Sequence, residues 1–285
     1  MRRLVAILFA AVVALAVVPA ARAVTPGKAH ALDPKRTGLP FEAVTFPAAA
    51  DSVPLDGWWF EGPAKSPVVV CCPRGTGTMA DLLPSVRELV QRGFTVLTFD
   101  YRDFGPRGPG PVDSRANLVF ATRWVHDARG AVAFARAKAP GRRVFAWGQD
   151  IGGPVAAAVA ARDPHALDAL AVEGLFRTAI EQVEYSGLAP IPGVLVNHRL
   201  QADVRDDPVS TVPILHVPLL VVLAMKDTVT PPEVTKKVVF SSLSRIDRWP
   251  IPVAGHDGAE LTPGYFDRLA GWFKGIAAQL PPATP

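Results

Sequence analysis

Three residues far apart in the chain have the types and settings to do chemistry together. Asp150 sits in Trp147-Gly148-Gln149-Asp150-Ile151-Gly152-Gly153, which has the outline of a nucleophile elbow, Gly-x-Ser-x-Gly, with aspartate where the attacking serine is expected. An apolar strand ending at Trp147 and an Ala-rich run from Pro154 to Ala161 that reads as a buried helix force a tight turn between them. Gly148 and Gly152 permit that turn and lift the central side chain into an exposed, strained position. Asp227 lies in Lys226-Asp227-Thr228-Val229-Thr230-Pro231 and His256 in Ala254-Gly255-His256-Asp257, each directly after a predicted strand. In the order Asp150, Asp227, His256 these are a nucleophile, an acid that orients the imidazole, and a base. Alone, the second aspartate reads as a solvated loop residue and the histidine as a surface one; together, each at a strand tip, they favour a triad.

The aspartate narrows the chemistry. A carboxylate attacking an ester or amide carbonyl gives a mixed anhydride, less stable than the acyl compound it came from. Attack at a saturated carbon bearing a halide or an epoxide oxygen gives an ordinary ester, which water activated by His256 can hydrolyse.

Alternating strands and helices must position these groups. Residues 41 to 60 read as an antiparallel hairpin around Asp51-Ser52 and Pro54. Val68 to Cys72 and Thr95 to Phe99 are continuous apolar runs, the mark of central parallel strands covered on both faces. Leu82, Val86, Leu89 and Val90 make a helical stripe between them, ended by Gly93 at a left-handed cap. A helical region over roughly 115 to 138 precedes the elbow, and strands follow near Ala169 to Val172, Leu219 to Ala224 and Arg248 to Val253. Thr262 is the expected cap of a last helix whose Phe266, Leu269, Phe273, Ile276 and Leu280 share one face. The alternation predicts an α/β class with a mostly parallel central sheet, helices on both faces, and the site at the carboxyl ends of the strands.

At 285 residues and 49% hydrophobic, the chain suits one sizeable core. Arg2 and Arg3, an uncharged run from Leu4 to Val18, and Ala21-Arg22-Ala23 have the layout of a secretory signal cleaved after Ala23, implying a secreted or periplasmic protein beginning near Val24. Residues 24–40 are expected to be loosely ordered, 41–280 to form the domain with a lid segment at about 174–216, and 281–285 to be a tail. Loss of Arg2, Arg3 and Arg22 with the leader brings the 30 basic residues close to the 26 acidic ones, so no nucleic-acid or membrane partner is called for after cleavage. A small-molecule substrate is the expected partner. The sequence holds no metal-ligand cluster or phosphate-cradling loop, so neither a cofactor nor a metal is expected. Cys71 and Cys72 are adjacent in a strand, where neighbours face opposite ways, so two buried free thiols are expected.

From about Leu55 to Leu280 the chain resembles the small single-domain α/β-hydrolases related to serine aminopeptidases and monoacylglycerol lipases. Phe99-Asp100-Tyr101-Arg102-Asp103-Phe104-Gly105 is similar to their Asp-Tyr-Arg-Gly-x-Gly loop, and Gly148 to Gly153, Lys226-Asp227 and Gly255-His256 match in register. The resemblance implies an α/β-hydrolase fold with an Asp150, Asp227, His256 triad. Where that family usually reads His-Gly-x-x-Gly, this chain has Pro73-Arg74-Gly75-Thr76-Gly77, so the amides of Gly75 and Ile151 are the candidate oxyanion donors. Arg74 is a candidate for binding an anionic ligand or pairing with Asp150 if it points inward, and is surface charge if it points outward. Haloalkane dehalogenases and epoxide hydrolases of the superfamily have elbows resembling Gly-x-Asp-x-Gly-Gly. Ile151 replaces the tryptophan that the dehalogenases place after the aspartate, and Tyr185 is a candidate proton donor from the lid, with packing as its alternative. Three readings stay open: a hydrolase attacking saturated carbon, an esterase- or peptidase-like hydrolase using Asp150 as a base for water, and an inactive binding protein on the same fold.

Overall fold

The computed structural model describes residues 24–108, 120–185, 203–240, 242 and 244–281, with Thr25 and residues 183–185 described by their backbone only. The leader therefore lies outside the described residues, as do residues 186–202 of the expected lid segment. The strands are β1 (Thr25–Pro26), β2 (Glu42–Pro47), β3 (Pro54–Phe60), β4 (Val68–Cys72), β5 (Thr76–Gly77), β6 (Thr95–Phe99), β7 (Val144–Gln149), β8 (Ala169–Glu173), β9 (Leu219–Ala224) and β10 (Ile246–Ile251). The helices are α1 (Leu83–Gln91), α2 (Thr122–Lys138), α3 (Gly152–Arg162), α4 (Ala179–Tyr185), α5 (Pro208–Thr211), α6 (Pro232–Phe240) and α7 (Tyr265–Gln279).

Eight strands form one sheet in the order β10-β9-β8-β7-β4-β6-β3-β2. β4 and β6 to β10 run parallel, while β2 and β3 form the expected antiparallel hairpin at one edge. The continuous apolar runs are explained by cover on both faces. Val68, Val70 and Cys72 enter a core packed by α2, α3 and α6, whereas Val69 and Cys71 enter another packed by α1 and α7. Cys71 and Cys72 accordingly point to opposite faces as buried free thiols, and burial pushes both well above the ordinary thiol range.

Helix α7 buries Tyr265, Phe266, Leu269, Phe273 and Ile276, with Phe273 stacked on Phe145 of β7 at 4.8 Å between ring centres. It starts later than its sequence suggests. Gly264, with φ of 76°, is the residue before the first turn, and Thr262 instead ends a short 3-10 turn over Ala259–Leu261. A left-handed glycine breaks the chain direction just after the Thr-Pro pair that reads as a start.

The segment 24–40 also departs from expectation, since it is tied down along its length. β1 pairs in parallel with β5, the Gly27 amide donates to the Gly77 carbonyl at 2.7 Å, and the Gly105 amide donates to the Gly27 carbonyl at 2.8 Å. Further on, His30 Nε2 lies 2.7 Å from Asp100 Oδ2, and its ring packs edge-on against Trp58. Strand-like backbone pairing and a side-chain anchor hold a segment whose own composition is unremarkable.

Candidate active site

The elbow is built by close backbone approach. A Cβ on Gly148 would lie 2.2 Å from the Gly152 carbonyl oxygen, and one on Gly152 would lie 2.2 Å from the Cys72 carbonyl oxygen, so neither position admits a side chain. Between them Asp150 has φ of 51°, the left-handed region, at a strain of about 1–3 kcal/mol that the surrounding strand and helix must hold. The result is that Asp150 projects past the end of β7 with 24% of its side chain exposed.

Asp227 and His256 come to the same rim from the ends of β9 and β10. Asp227 Oδ1 accepts from the amides of Val229 and Thr230, each at 2.8 Å, which fixes the carboxylate on its own loop. Its Oδ2 is then turned to His256 Nδ1 at 3.0 Å. The two loops are stitched together where the Lys226 amide donates to the Ala254 carbonyl at 2.8 Å. The other imidazole nitrogen, Nε2, lies 3.5 Å from Asp150 Oδ1. The second oxygen of Asp150 points elsewhere, with Oδ2 accepting from the Gly75 amide at 3.0 Å. The three residues singled out by type and spacing thus meet, and both candidate oxyanion amides, those of Gly75 and Ile151, act on the Asp150 carboxylate.

The chain as a whole is similar to known proteins. Residues 63–196 match the family described as serine aminopeptidase, S33. The structure superposes on the Pyrococcus furiosus esterase Pf2001 with a TM-score of 0.68 at 17% identity, covering 88% of this chain and 99% of that one. The α/β-hydrolase GrgF from Penicillium sp. sh18 gives a TM-score of 0.62 at 18% identity, covering 84% and 99%. The chain has the α/β-hydrolase fold. An uncharacterized protein of Mycobacterium tuberculosis is 24% identical over 220 residues, 75% of this chain and 72% of that protein.

In this α/β-hydrolase fold the site's electrostatics are set by the imidazole and the two acids beside it. Burial pushes the Asp150 carboxyl up, but interaction with His256 and the backbone amides of Gly75 and Ile151 outweighs it and holds the group below the usual carboxylate range. Burial likewise pulls the imidazole down, and Asp150 and Asp227 on either side outweigh it, raising His256 to about 10. The imidazole thus holds its proton between two acids, well above the ordinary histidine range.

Arg74 is held by partners from three other positions of the chain. Its Nε donates to Gln149 Oε1 at 3.0 Å, Nη1 to Asp257 Oδ1 at 3.1 Å and Nη2 to Glu260 Oε1 at 2.5 Å, so it neither pairs with Asp150 nor stands free at the surface. Tyr185 closes α4, and its side chain lies outside the described residues.

Two features of the site carry little signal in the sequence. Val24 of the N-terminal segment reaches the oxyanion loop: Val24 Cγ2 and Asp150 Oδ2 each lie 3.0 Å from the point where a Gly75 Cβ would sit. Glycine at 75 is what allows the loop amide, the carboxylate and the N-terminal segment to crowd together. Behind the elbow, Glu173 at the end of β8 is hydrogen-bonded by the Tyr265 hydroxyl, which also accepts from Trp147 Nε1 at 3.1 Å. Burial raises the Glu173 carboxyl to about 7 despite the Tyr265 bond. Only an acid directly at a strand tip hinted at that cluster.

Proposed function

We propose that this protein is an exported hydrolase that opens a saturated carbon–oxygen bond, with strained cyclic ethers of the epoxide class as substrate, through an ester formed on Asp150. The observation that carries this reading is the division of labour between the two oxygens of Asp150. Oδ2 is held by the Gly75 amide, while Oδ1 is presented beside His256. In the first step Oδ1 attacks the ring carbon, the carbon–oxygen bond breaks, and the leaving oxygen takes the proton carried by the imidazolium of His256.

Two consequences follow from charge. The ester is neutral, so His256 loses one of the two carboxylates that hold its proton, and the imidazole left behind is a competent base. In the second step it takes a proton from water attacking the Asp150 carbonyl carbon. The oxygen at the Gly75 and Ile151 amides carries the developing negative charge. Collapse releases the alcohol, which draws the proton back from His256, and leaves Asp150 as a carboxylic acid. That acid passes its proton to the imidazole, restoring carboxylate and imidazolium, and the steps sum to epoxide plus water giving diol.

A leaving group that needs a proton suits a site whose histidine begins protonated. A halide needs none, and the Ile151 side chain, unlike a tryptophan indole, offers no N–H to hold it, which favours the epoxide over the haloalkane. Acyl transfer is disfavoured because the amides that would receive a substrate oxyanion already engage the chain's own carboxylate. The serine aminopeptidase match and the esterase neighbour support hydrolysis as the general reaction.

Single turnover in oxygen-18 water tests the covalent step. With protein in excess over an epoxide such as styrene oxide, label is expected in the Asp150 carboxylate after repeated rounds and not in diol from the first. Diol labelled in the first round, with an unlabelled Asp150, overturns the reading.

A further inference from the structure

Asp150 and His256 stand 3.5 Å apart, yet the strands that present them are not neighbours. In the sheet order, β8 and β9 lie between β7 and β10, so no ladder of backbone hydrogen bonds fixes one loop against the other. Among the described residues no backbone hydrogen bond joins the elbow to the loop that carries His256. Something else must set that separation.

Arg74 is placed to do so. It precedes Gly75, its first partner Gln149 precedes Asp150, and its second partner Asp257 follows His256. One guanidinium therefore joins the immediate neighbours of the oxyanion amide, the elbow carboxylate and the imidazole. The contact with Gln149 is the deepest, since that side chain is 2% exposed at the end of β7. Glu260 is the stronger of the two acidic anchors. Its side chain is 18% exposed and its bond 2.5 Å, whereas Asp257 is 61% exposed and its contact is screened by water. The planar fork fixes three directions at once, which a lysine ammonium on a flexible stem cannot do.

We propose that Arg74 is a positioning residue that sets the gap between Asp150 and His256 by clamping the oxyanion loop, the elbow and the histidine loop to one another. The consequence for turnover rests on reading Asp150, Asp227 and His256 as the reacting triad. The geometric claim does not.

The test follows the imidazole itself. The His256 ring resonance of the full chain, assigned by its loss in His256→Asn, is titrated by NMR in the wild type, Arg74→Met and Arg74→Lys. Loosening the clamp draws a carboxylate away from the imidazolium, so both variants should lower the measured His256 pKa, Arg74→Met by about one unit or more. A cation acting only through its nearby charge predicts the reverse. Its removal would relieve repulsion and raise the value, and lysine would behave as wild type. A rise, or no change in either variant, overturns the proposal. Circular dichroism reports whether each variant is folded, and if Arg74→Met is not, Arg74→Lys gives the same readout with a smaller perturbation. On a substrate that the wild type turns over, the same variants should lower kcat more than KM. A fallen pKa with unchanged kcat would leave the clamp standing and count against the triad.

Discussion

The Gly75 amide donates to Oδ2 of Asp150 at 3.0 Å, so a backbone donor suited to a substrate's oxyanion is already satisfied by the protein's own side chain. In a serine enzyme that donor waits for the tetrahedral intermediate. Here any carbonyl substrate would have to displace a carboxylate that burial and charge hold in place.

Asp150→Ser should reverse this. The serine hydroxyl is shorter and uncharged, the Gly75 and Ile151 amides are released, and His256 is retained with Asp227 behind it. Hydrolysis of p-nitrophenyl acetate should rise well above wild type, by about 10²-fold or more given what one oxyanion donor is worth. Release of p-nitrophenol measures it. No rise would mean that the loop beginning Pro73-Arg74 does not form a working hole.

The ion pair should also shape stability. His256 has its pKa raised from 6.5 to about 10 on folding, so the folded state binds the proton more tightly than the unfolded one. The stabilisation is fully present below pH 6.5 and is lost as pH rises through about 10. Urea midpoints at pH 7 and pH 10 should therefore fall more for the wild type than for Asp150→Asn. In that variant the measured His256 pKa should drop by about one unit or more, because a charged partner becomes neutral. Equal pH slopes in the two proteins would contradict the pairing.

The elbow itself makes a prediction about packing. Gly152→Ala would put a methyl group 2.2 Å from the Cys72 carbonyl oxygen, against backbone that cannot step aside. A loss of about 1–3 kcal/mol or more is expected, the range for overpacking a tight site, and a denaturant midpoint measures it. Gly271→Ala is the control, because a Cβ there meets nothing within 4 Å on an exposed face of α7. It should be neutral or slightly stabilising, since alanine favours a helix interior.

What could be read beforehand divides along a physical line. β9 runs over the span that its apolar residues mark, because a strand buried on both faces writes its limits into a continuous hydrophobic run. Asp150, Asp227 and His256 were legible as candidates because each lies on a short loop directly after such a strand, where topology leaves little freedom. Arg74 was misread because its partners are 75, 183 and 186 residues away, and only the fold brings them together. The order in residues 24–40 was missed for a similar reason, since His30 is anchored 70 residues downstream. Helix α6, directly after the Asp227 loop, went unread.

The pairing of β1 with β5 bears on how the protein should be handled. An affinity tag fused just ahead of Val24 would emerge beside the oxyanion loop, where Val24 Cγ2 already approaches Gly75 and Asp150. The other end of the chain is safer: Arg245, at the foot of β10, reaches Gln279 at 2.7 Å, which puts the close of α7 at the opposite rim of the sheet. Immobilisation and labelling through the carboxyl terminus should leave the loop undisturbed, whereas amino-terminal fusions risk being mistaken for inactive protein.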